Sequence, residues 1–267
     1  MYFKIYQPIF LSVTILLIFL LSSCGADIES ASGVEGMFSN VMSIQDKMNI
    51  ICSDIDKDPE FKRSHHERFG KVFCSEAPSA NVIDLNSVVD KKKKYAINEE
   101  IKTEDENTYI DAFRIEVYAN TGLLEGAQKA VPTLKDFQKT DNADSPFNLT
   151  MKEKLKFDEK TITASAKFEL VSTEDKNGYV YIKNDWKLYG KKVKNYFVAT
   201  IDTTKVYKDS KLNKAYIMAA IIPHAGDIYI NIIGQIYLQG AGVNGAMAAA
   251  ISTMITETLY DIKQKFN

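Results

Sequence analysis

The stretch that most constrains the fold runs from Asp227 to Phe266 and changes its hydrophobic period once. Its first part alternates isoleucine with polar or aromatic residues, which is the two-residue period of a strand. After the glycine turn Gly240–Gly245, apolar residues recur every three or four positions, as on one face of a helix. About 24 helical residues at 1.5 Å and about 11 strand residues at 3.3 Å each span ~36 Å. The pattern therefore predicts a terminal helix that lies along a sheet and covers it.

Further strands are predicted upstream, where apolar residues alternate with polar ones. They are Tyr109–Ala119, Phe147–Phe157, Thr161–Val171, Gly178–Tyr189, Val193–Tyr207 and Lys214–Ile222. The short links Asp158–Lys160, Gly190–Lys192 and Pro223–Gly226 predict three hairpins, and Leu123–Phe137 reads as two short helices divided at Pro132. Consecutive hairpins form an antiparallel meander whose apolar face needs a cover. The sequence thus predicts an α+β domain at 107–267, an antiparallel sheet of about six to seven strands covered by the long C-terminal helix.

A helical hairpin is predicted before this domain. Apolar residues at spacings of three and four favour a helix over Val34–Ile51, and Asp58 followed by Pro59 favours an N-cap and first helical position for a second helix, ending near Phe69. Basic Lys91–Lys94 and acidic 98–107 then lie close together, which is typical of a solvated surface segment. We therefore expect 34–106 to be a helical N-terminal segment with a charged linker.

Cys52 and Cys74 are close enough in sequence to bond in an oxidising compartment. Two alternatives remain open, free thiols and a metal site completed by His65 and His66. The metal site is disfavoured because adjacent helical histidines point apart and the spacing matches no zinc motif. The prediction is a disulfide that staples the helical hairpin.

The N-terminus reads as a secretion signal over 1–23. Lys4 supplies a positive charge, and Ile9–Leu21, about 13 apolar residues, suits a signal-peptide core better than a membrane span. The sequence Leu21-Ser-Ser-Cys24-Gly25 resembles the lipobox of bacterial lipoproteins. This resemblance implies cleavage before Cys24, acylation of its sulfur and amino group, and a membrane anchor followed by a tether at 24–33. Gly25 is not the aspartate of inner-membrane retention, so an envelope location at the outer membrane is expected rather than the inner one.

The order of strand, helices, antiparallel strands and long final helix over residues 108–266 resembles the helix-grip fold of START-type and Bet v 1-like proteins. The resemblance implies a cavity between sheet and final helix that holds an apolar small molecule or lipid. Its walls would be the strand residues Ile228, Ile230, Ile232, Ile236 and Trp186 and the helix residues Met247, Ile251 and Met254. Small residues such as Ala199, Ala219 and Gly234 fit either a closely packed core or such a cavity, and both readings stay open.

Other classes of function find little support. The net charge of −2 gives no basic footprint for nucleic acid. The run Gly240-x-Gly242-x-x-Gly245 matches a dinucleotide fingerprint, but no second parallel strand follows it, so no cofactor is expected. No metal site and no catalytic constellation is predicted, and His224 reads as a solvated turn residue. We therefore expect a non-catalytic chain rather than an enzyme.

The sequence leaves two functions open. The first is a membrane-anchored envelope lipoprotein that binds an apolar small molecule or lipid. The alternative is a structural or interaction lipoprotein with a packed core that binds another envelope protein. Tyrosines on an outer sheet face would supply that protein-binding surface, although strand propensity alone also explains them: Tyr179, Tyr181, Tyr189, Tyr196, Tyr207, Tyr216, Tyr229 and Tyr237.

Overall fold

The computed structural model describes residues 42–64, 73–75, 77–79, 82–87, 97–101, 108–120, 147–151, 156–157, 161–171, 181–194, 196–210, 212–239 and 260. The predicted signal peptide, Cys24 and the tether lie outside these residues. So do the predicted helices at 123–137 and the predicted C-terminal helix, apart from Tyr260, which is helical.

Among the described residues, two helices precede the sheet. Helix α1 spans Ile44–Ile55 and helix α2 spans Pro59–Ser64. Ser43 caps α1 by accepting a hydrogen bond from the backbone N–H of Asp46 at 3.1 Å. Asp58 caps α2 in the same way, since its Oδ1 accepts from the N–H of Glu60 at 2.9 Å. The predicted cap and first position of the second helix are confirmed. The first helix differs from its predicted range Val34–Ile51, because it begins at Ile44 after its cap and continues past Ile51.

Ten strands form one sheet. They are β1 Ile83–Asp84, β2 Ile97–Ile101, β3 Thr108–Asn120, β4 Phe147–Met151, β5 Lys156–Phe157, β6 Thr161–Val171, β7 Tyr181–Val193, β8 Tyr196–Val206, β9 Leu212–His224 and β10 Asp227–Gln239. The order across the sheet is β1-β3-β10-β9-β8-β7-β6-β4, with β2 beside β3 and β5 beside β6. The β1–β3 pair is parallel and the other pairs are antiparallel. The predicted antiparallel meander is confirmed.

The hairpins differ from prediction at two turns, because Gly190–Lys192 lies within β7, and Pro223 and His224 lie within β9. Gly190 was expected to begin the turn between β7 and β8, but it lies inside β7 opposite Ala199. A Cβ at Gly190 would lie 2.6 Å from Cζ of Phe197, so glycine is needed there for close packing rather than for a turn. The turn begins at Lys194, which has a φ of 54°. Between β9 and β10 the turn consists of Ala225 and Gly226, both with positive φ, as in the two-residue turns that suit strand twist.

Strand β1 lies where 82–89 fit either a short helix or a strand, and strand β2 was not predicted, because the basic run Lys91–Lys94 and the acidic residues 98–107 indicated a solvated segment. Strand β2 pairs with residues 110–114 of β3, and β1 pairs with residues 117–118 on the same edge. The partner of β1 is 34 residues further along the chain and is invisible to a local pattern, whereas β2 pairs with the strand that follows it. The predicted division of the chain near 106 stays a prediction.

One face of the sheet, here called the helix face, packs against α1 and α2. Buried residues of the helices and of the sheet form a single apolar cluster: Ile44, Met48, Ile51, Ile55, Phe61 and Phe73 with Tyr196, Val198, Tyr216, Met218, Ala220, Ile222, Tyr229 and Ile233. Tyr196, Tyr216 and Tyr229 are at most 4% exposed. These three tyrosines therefore do not belong to an outer protein-binding surface, because the helices cover them.

The opposite face, here called the isoleucine face, is also buried. Along β3, β8, β9 and β10 it consists of Ile115, Val117, Ala119, Phe197, Ala199, Ile201, Ala215, Ile217, Ala219, Ile221, Ile228, Ile230, Ile232 and Ile236, each at most 9% exposed. The central strands are thus buried on both sides, which explains why their sequences are so apolar.

Candidate functional site

The structure brings the strand residues of the predicted ligand wall onto the isoleucine face. Ile228, Ile230, Ile232 and Ile236 alternate along β10 and are 0%, 6%, 2% and 4% exposed. Ile232 lies between Ala219 of β9 and Ile115 of β3 in the register of the sheet. The helix residues of that wall, Met247, Ile251 and Met254, lie outside the described residues.

Trp186 was predicted to share this wall. It alternates with Leu188 and Gly190 along β7, and Gly190 is opposite Ala199, so its side chain belongs to the isoleucine face. Three strand spacings separate β7 from β10, a distance of about 14 Å. Trp186 is partly buried and stands at the side of the face, away from the isoleucines of β10.

The two faces differ sharply in polarity. On β3, β8, β9 and β10, the described buried side chains of the isoleucine face are all apolar. The buried polar side chains of the same strands, Glu116, Thr200, Asn231 and Gln235, all belong to the helix face. These buried side chains of the isoleucine face can therefore contact other atoms only through dispersion and the hydrophobic effect.

The centre of the isoleucine face carries small side chains. Gly190, Ala199 and Ala219 lie in one row across β7, β8 and β9. The ring of Phe197 packs over Gly190, while Ile217 and Ile221 flank Ala219 along β9. The methyl side chains of Ala199 and Ala219 are shorter than the side chains around them, so the face has a shallow depression at this point.

A buried acid on the helix face has a structural role. Oε1 of Glu116 accepts hydrogen bonds from the hydroxyl of Tyr229, from the N–H of Ser79 at 3.0 Å and from Nη2 of Arg114 at 3.1 Å. Burial and the neighbouring Glu116 carboxylate raise the pKa of Tyr229. An oxygen that already receives three donors is poorly placed to act as a general base.

Helix α1 contributes a buried lysine that sequence reasoning did not single out. Nζ of Lys47 donates to the carbonyl of Pro223 at 2.9 Å and lies 3.3 Å from Nδ1 of His224, and Lys47 is 0% exposed. Burial lowers the pKa of Lys47, and burial together with the charge of Lys47 lowers the pKa of His224. His224 is therefore partly buried against α1, and not the fully solvated turn residue expected from its sequence context.

Helix α2 is fixed to β7 by polar contacts. Oδ2 of Asp58 accepts from Nζ of Lys191 and from the hydroxyl of Tyr189, both at 3.1 Å. Burial and the charge of Asp58 raise the pKa of Tyr189 to about 12. The ring of Phe61 meets that of Tyr189 edge-on at 5.0 Å, and Glu60 pairs with Lys187 at 2.7 Å.

The predicted disulfide joins Cys52 in α1 to Cys74, with their Cα atoms 6.1 Å apart. Gln45 reinforces the link, because its Nε2 donates to the carbonyl of Cys74 and its Oε1 accepts from the N–H of Ala77. Both sulfurs are used in the bond, so the alternatives of free thiols and of a Cys2His2 metal site do not describe this structure. The predicted disulfide is confirmed.

A cleft of about 900 Å³ lies between α1 and the end of β7. Its walls are Asn49, Ile50, Ser53, Asp54 and Lys57 on the helix side and Lys191, Lys192, Val193 and Lys194 on the strand side. Lys191 pairs with Asp54 at 2.7 Å and with Asp58 at 3.1 Å. Burial alone would lower the pKa of Lys191, but its bonds with Asp54 and Asp58 outweigh burial and raise it.

Within the described part of the chain, no three His, Cys, Asp or Glu side chains gather as a metal site. The helices among these residues include none with the length and apolar character needed to cross a membrane.

No protein-family model matches the chain, and no curated protein matches it. Solved structures similar to it include the lipid transfer and protein localization domain of human StarD13, at 11% identity, TM-score 0.34, and coverage of 66% of this chain and 91% of that one. Human STARD10 follows at 6% identity, TM-score 0.40, with 75% and 79% covered. The protein Ara h 8.0201 is 10% identical, with a TM-score of 0.33 and 58% and 96% covered. At these TM-scores nothing about ligand or activity follows for this chain.

Proposed function

We propose that this chain is a membrane-anchored envelope lipoprotein that binds an apolar small molecule or lipid on the isoleucine face of its sheet. Binding is non-catalytic. The ligand lies along β8, β9 and β10 and contacts Ile230, Ile232 and Ala219. Acylation of Cys24, inferred from the lipobox resemblance, attaches the chain to the membrane, with the outer membrane preferred.

One observation supports the ligand more than any other, the difference between the two faces of the sheet. The helix face has its own set of stabilising contacts: an apolar cluster with α1 and α2, the Cys52–Cys74 disulfide, and the hydrogen bonds of the buried Lys47 and Tyr229. The isoleucine face adds a second apolar surface with small residues at its centre. A fold stabilised on one face can leave the other for an apolar guest.

The size and chemistry of this surface also suit an apolar guest. Four neighbouring strands at about 4.8 Å spacing give a face ~14 Å wide between the outer strands, and each strand contributes three or more apolar side chains. Burying apolar surface contributes about 25 cal/mol per Å². A chain or ring system of lipid size would contact this face through apolar area, without a hydrogen bond from the buried side chains of β3, β8, β9 and β10.

Mass spectrometry of the full-length chain tests the proposal. The chain is expressed with its own N-terminus in a bacterial envelope, purified in detergent and measured under native and denaturing conditions. We expect a noncovalent adduct of lipid or small-molecule mass in the native spectrum, lost in the denaturing one. A covalent mass that remains after denaturation, on a chain beginning at Cys24, would reveal the anchor.

The apolar ligand and the membrane anchor are refuted by different results. A native spectrum without an adduct, even after incubation with total envelope lipids, would refute the apolar ligand. An uncleaved N-terminus, or one without acyl chains, would refute the anchor and leave the ligand unaffected. The Cys24→Ser variant is the matched control for the covalent mass, because it removes the acylated sulfur and leaves the isoleucine face unchanged.

A further inference from the structure

The cleft between α1 and the end of β7 concentrates positive charge. Four of its lining residues are lysines, Lys57 from the turn after α1 and Lys191, Lys192 and Lys194 from the strand and its turn. Asp54 is the acidic residue among the described residues that line it, and Asp54 is paired with Lys191. The whole chain has a net charge of −2, so this local excess of positive charge is a property of the cleft.

Bringing these amino groups together is electrostatically unfavourable unless an anion joins them. Lys191 has two acidic partners, Asp54 and Asp58, and is fixed by them. Lys57 and Lys194 are exposed at the rim. A concave surface lined by one sign of charge focuses its field, which raises the local concentration of ions of the opposite sign.

The polar groups of the cleft other than lysine also suit an anion. Asn49 and Ser53 lie one helical turn apart on α1 and face the cleft with Lys57. The amide oxygen of Asn49 already accepts from Nε2 of Gln45 at 3.2 Å, so its NH2 group is the end left to act as a donor. The cleft thus offers amide, hydroxyl and ammonium donors, and its acceptor Asp54 is neutralised by Lys191.

The floor is apolar. Val193 is 6% exposed, and Ile50 packs against the core that α1 makes with the sheet. Because the apolar floor of the cleft has a low dielectric constant, it strengthens the electric field of the lysines above it. The volume of about 900 Å³ accommodates a phosphate group together with the molecule that carries it.

We propose that this cleft binds a phosphate group, with Lys57 and Lys194 as its cationic contacts and Asn49 and Ser53 as hydrogen-bond donors. This site is separate from the isoleucine face and does not depend on the ligand proposed there. The phosphate could belong to a phospholipid headgroup of the membrane that holds the chain or to a soluble phosphate, and the experiment distinguishes these sources.

Hydrogen–deuterium exchange of the full-length chain in lipid nanodiscs tests the proposal. Three conditions are compared: discs of a galactolipid, which carries no phosphate, in phosphate-free buffer, the same discs with inorganic phosphate, and discs that contain phosphatidylglycerol. We expect slower exchange in peptides that cover 49–57 and 191–194 in the second or the third condition. Protection by inorganic phosphate indicates a soluble ligand, and protection only by phosphatidylglycerol indicates a headgroup.

The variant Lys57→Glu/Lys194→Glu should raise the apparent dissociation constant, from titrations of phosphate or of the phosphatidylglycerol fraction, by about tenfold or more. Lys205→Glu/Lys208→Glu is the matched control, because it changes the net charge equally. It acts at the other end of β8, about 30 Å along the strand from the cleft. We expect the control to bind like the wild type.

Two results would overturn the proposal. One is unchanged exchange at 49–57 and 191–194 in all three conditions. The other is equal weakening by both double variants, since this would mean that net charge and not the cleft governs binding. Thermal unfolding of each variant confirms that it is folded before binding is compared, and Lys57→Gln/Lys194→Gln replaces the glutamate variant if that variant fails to fold.

Discussion

The amino group of Lys47 lies 3.3 Å from Nδ1 of His224, where helix α1 meets the turn between β9 and β10. An ammonium group has only donors, so this contact requires Nδ1 to accept a hydrogen bond. A protonated imidazole cannot accept one. The docking of α1 onto the sheet is therefore coupled to the protonation state of His224.

Acid should weaken this docking. The pKa of His224 in the folded chain lies below its ordinary value of 6.5, because burial and the charge of Lys47 oppose protonation. The unfolded chain then binds more protons below pH 6.5, so the contribution of His224 to stability is complete above that pH and is lost as the pH falls toward the lowered value. Urea denaturation between about pH 8 and about pH 5 measures the effect. We expect His224→Gln to have a shallower pH profile than the wild type, and His65→Gln/His66→Gln to retain the wild-type profile. Parallel profiles for His224→Gln and the wild type would contradict the coupling.

Removing the hydroxyl of Tyr229 should destabilise the fold. Tyr229→Phe deletes a buried hydrogen bond to the Glu116 carboxylate, which is worth about 2 kcal/mol of unfolding free energy. Guanidinium denaturation measures this difference. Tyr118→Phe is the control, since Tyr118 is half-buried and its ring contacts that of Tyr229, and we expect its effect to be within about 0.5 kcal/mol of zero. Similar losses in both variants would argue against a special role for the Glu116 bond.

The disulfide should contribute substantially to stability. Cys52 and Cys74 are 22 residues apart, and closing a loop of that length restricts the unfolded chain by roughly 3 kcal/mol. The Cys52→Ser/Cys74→Ser variant should lose about this much in chemical denaturation. A reductant should produce a similar loss in the wild type and none in the variant. An unaltered denaturation midpoint in the variant would show that the disulfide does not stabilise the fold.

Gly190 should not tolerate a side chain. In Gly190→Ala the new Cβ would lie 2.6 Å from Cζ of Phe197, so we expect a loss of about 1–3 kcal/mol from overpacking. Phe197→Leu in the same chain should recover part of the loss, which a double-mutant cycle measures. Gly226→Ala serves as the comparison, because nothing lies within 4 Å of its Cβ and its cost of about 1 kcal/mol arises from its positive φ. Phe197→Leu should leave that cost unchanged.

The sequence predicts the strands well because their signals are local. Thr161–Val171 was predicted with the bounds that the structure has, and the strand predicted to begin at Asp227 begins there and ends at Gln239, directly before the predicted glycine turn. The turn at Ala225–Gly226 lies within the predicted link Pro223–Gly226. Alternating hydrophobicity and turn residues are properties of neighbouring positions, so a single sequence displays them.

Which side chains of the sheet are buried, and beneath which part of the chain, could not be predicted in the same way. Asn231 and Gln235 follow the polar half of an alternating pattern, which normally faces water, yet both are buried beneath the N-terminal segment. Two buried polar groups of β10 have hydrogen-bond partners that are distant in sequence: Glu116 for the hydroxyl of Tyr229, and the carbonyl of Phe73 for the side-chain amide of Asn231. Gly190 was wrongly predicted to begin a turn for a related reason. Glycine is required there because the ring of Phe197 on the next strand leaves no space for a Cβ. The lysine cleft likewise joins residues of α1 and β7 that no local pattern connects.

The variant Ile232→Trp tests the proposed ligand most directly. Ile232 is 2% exposed and lies beside Ala219 of the neighbouring strand β9, at the centre of the isoleucine face. We expect the indole to occupy the space of the ligand, so that the noncovalent adduct disappears from the native mass spectrum while the chain melts at the temperature of delipidated wild type. Val206→Trp, at an exposed position, should keep both the adduct and the wild-type melting temperature. A wild type without an adduct, together with a large fall in the melting temperature of Ile232→Trp, would show that the face is a packed core and would contradict the proposed function.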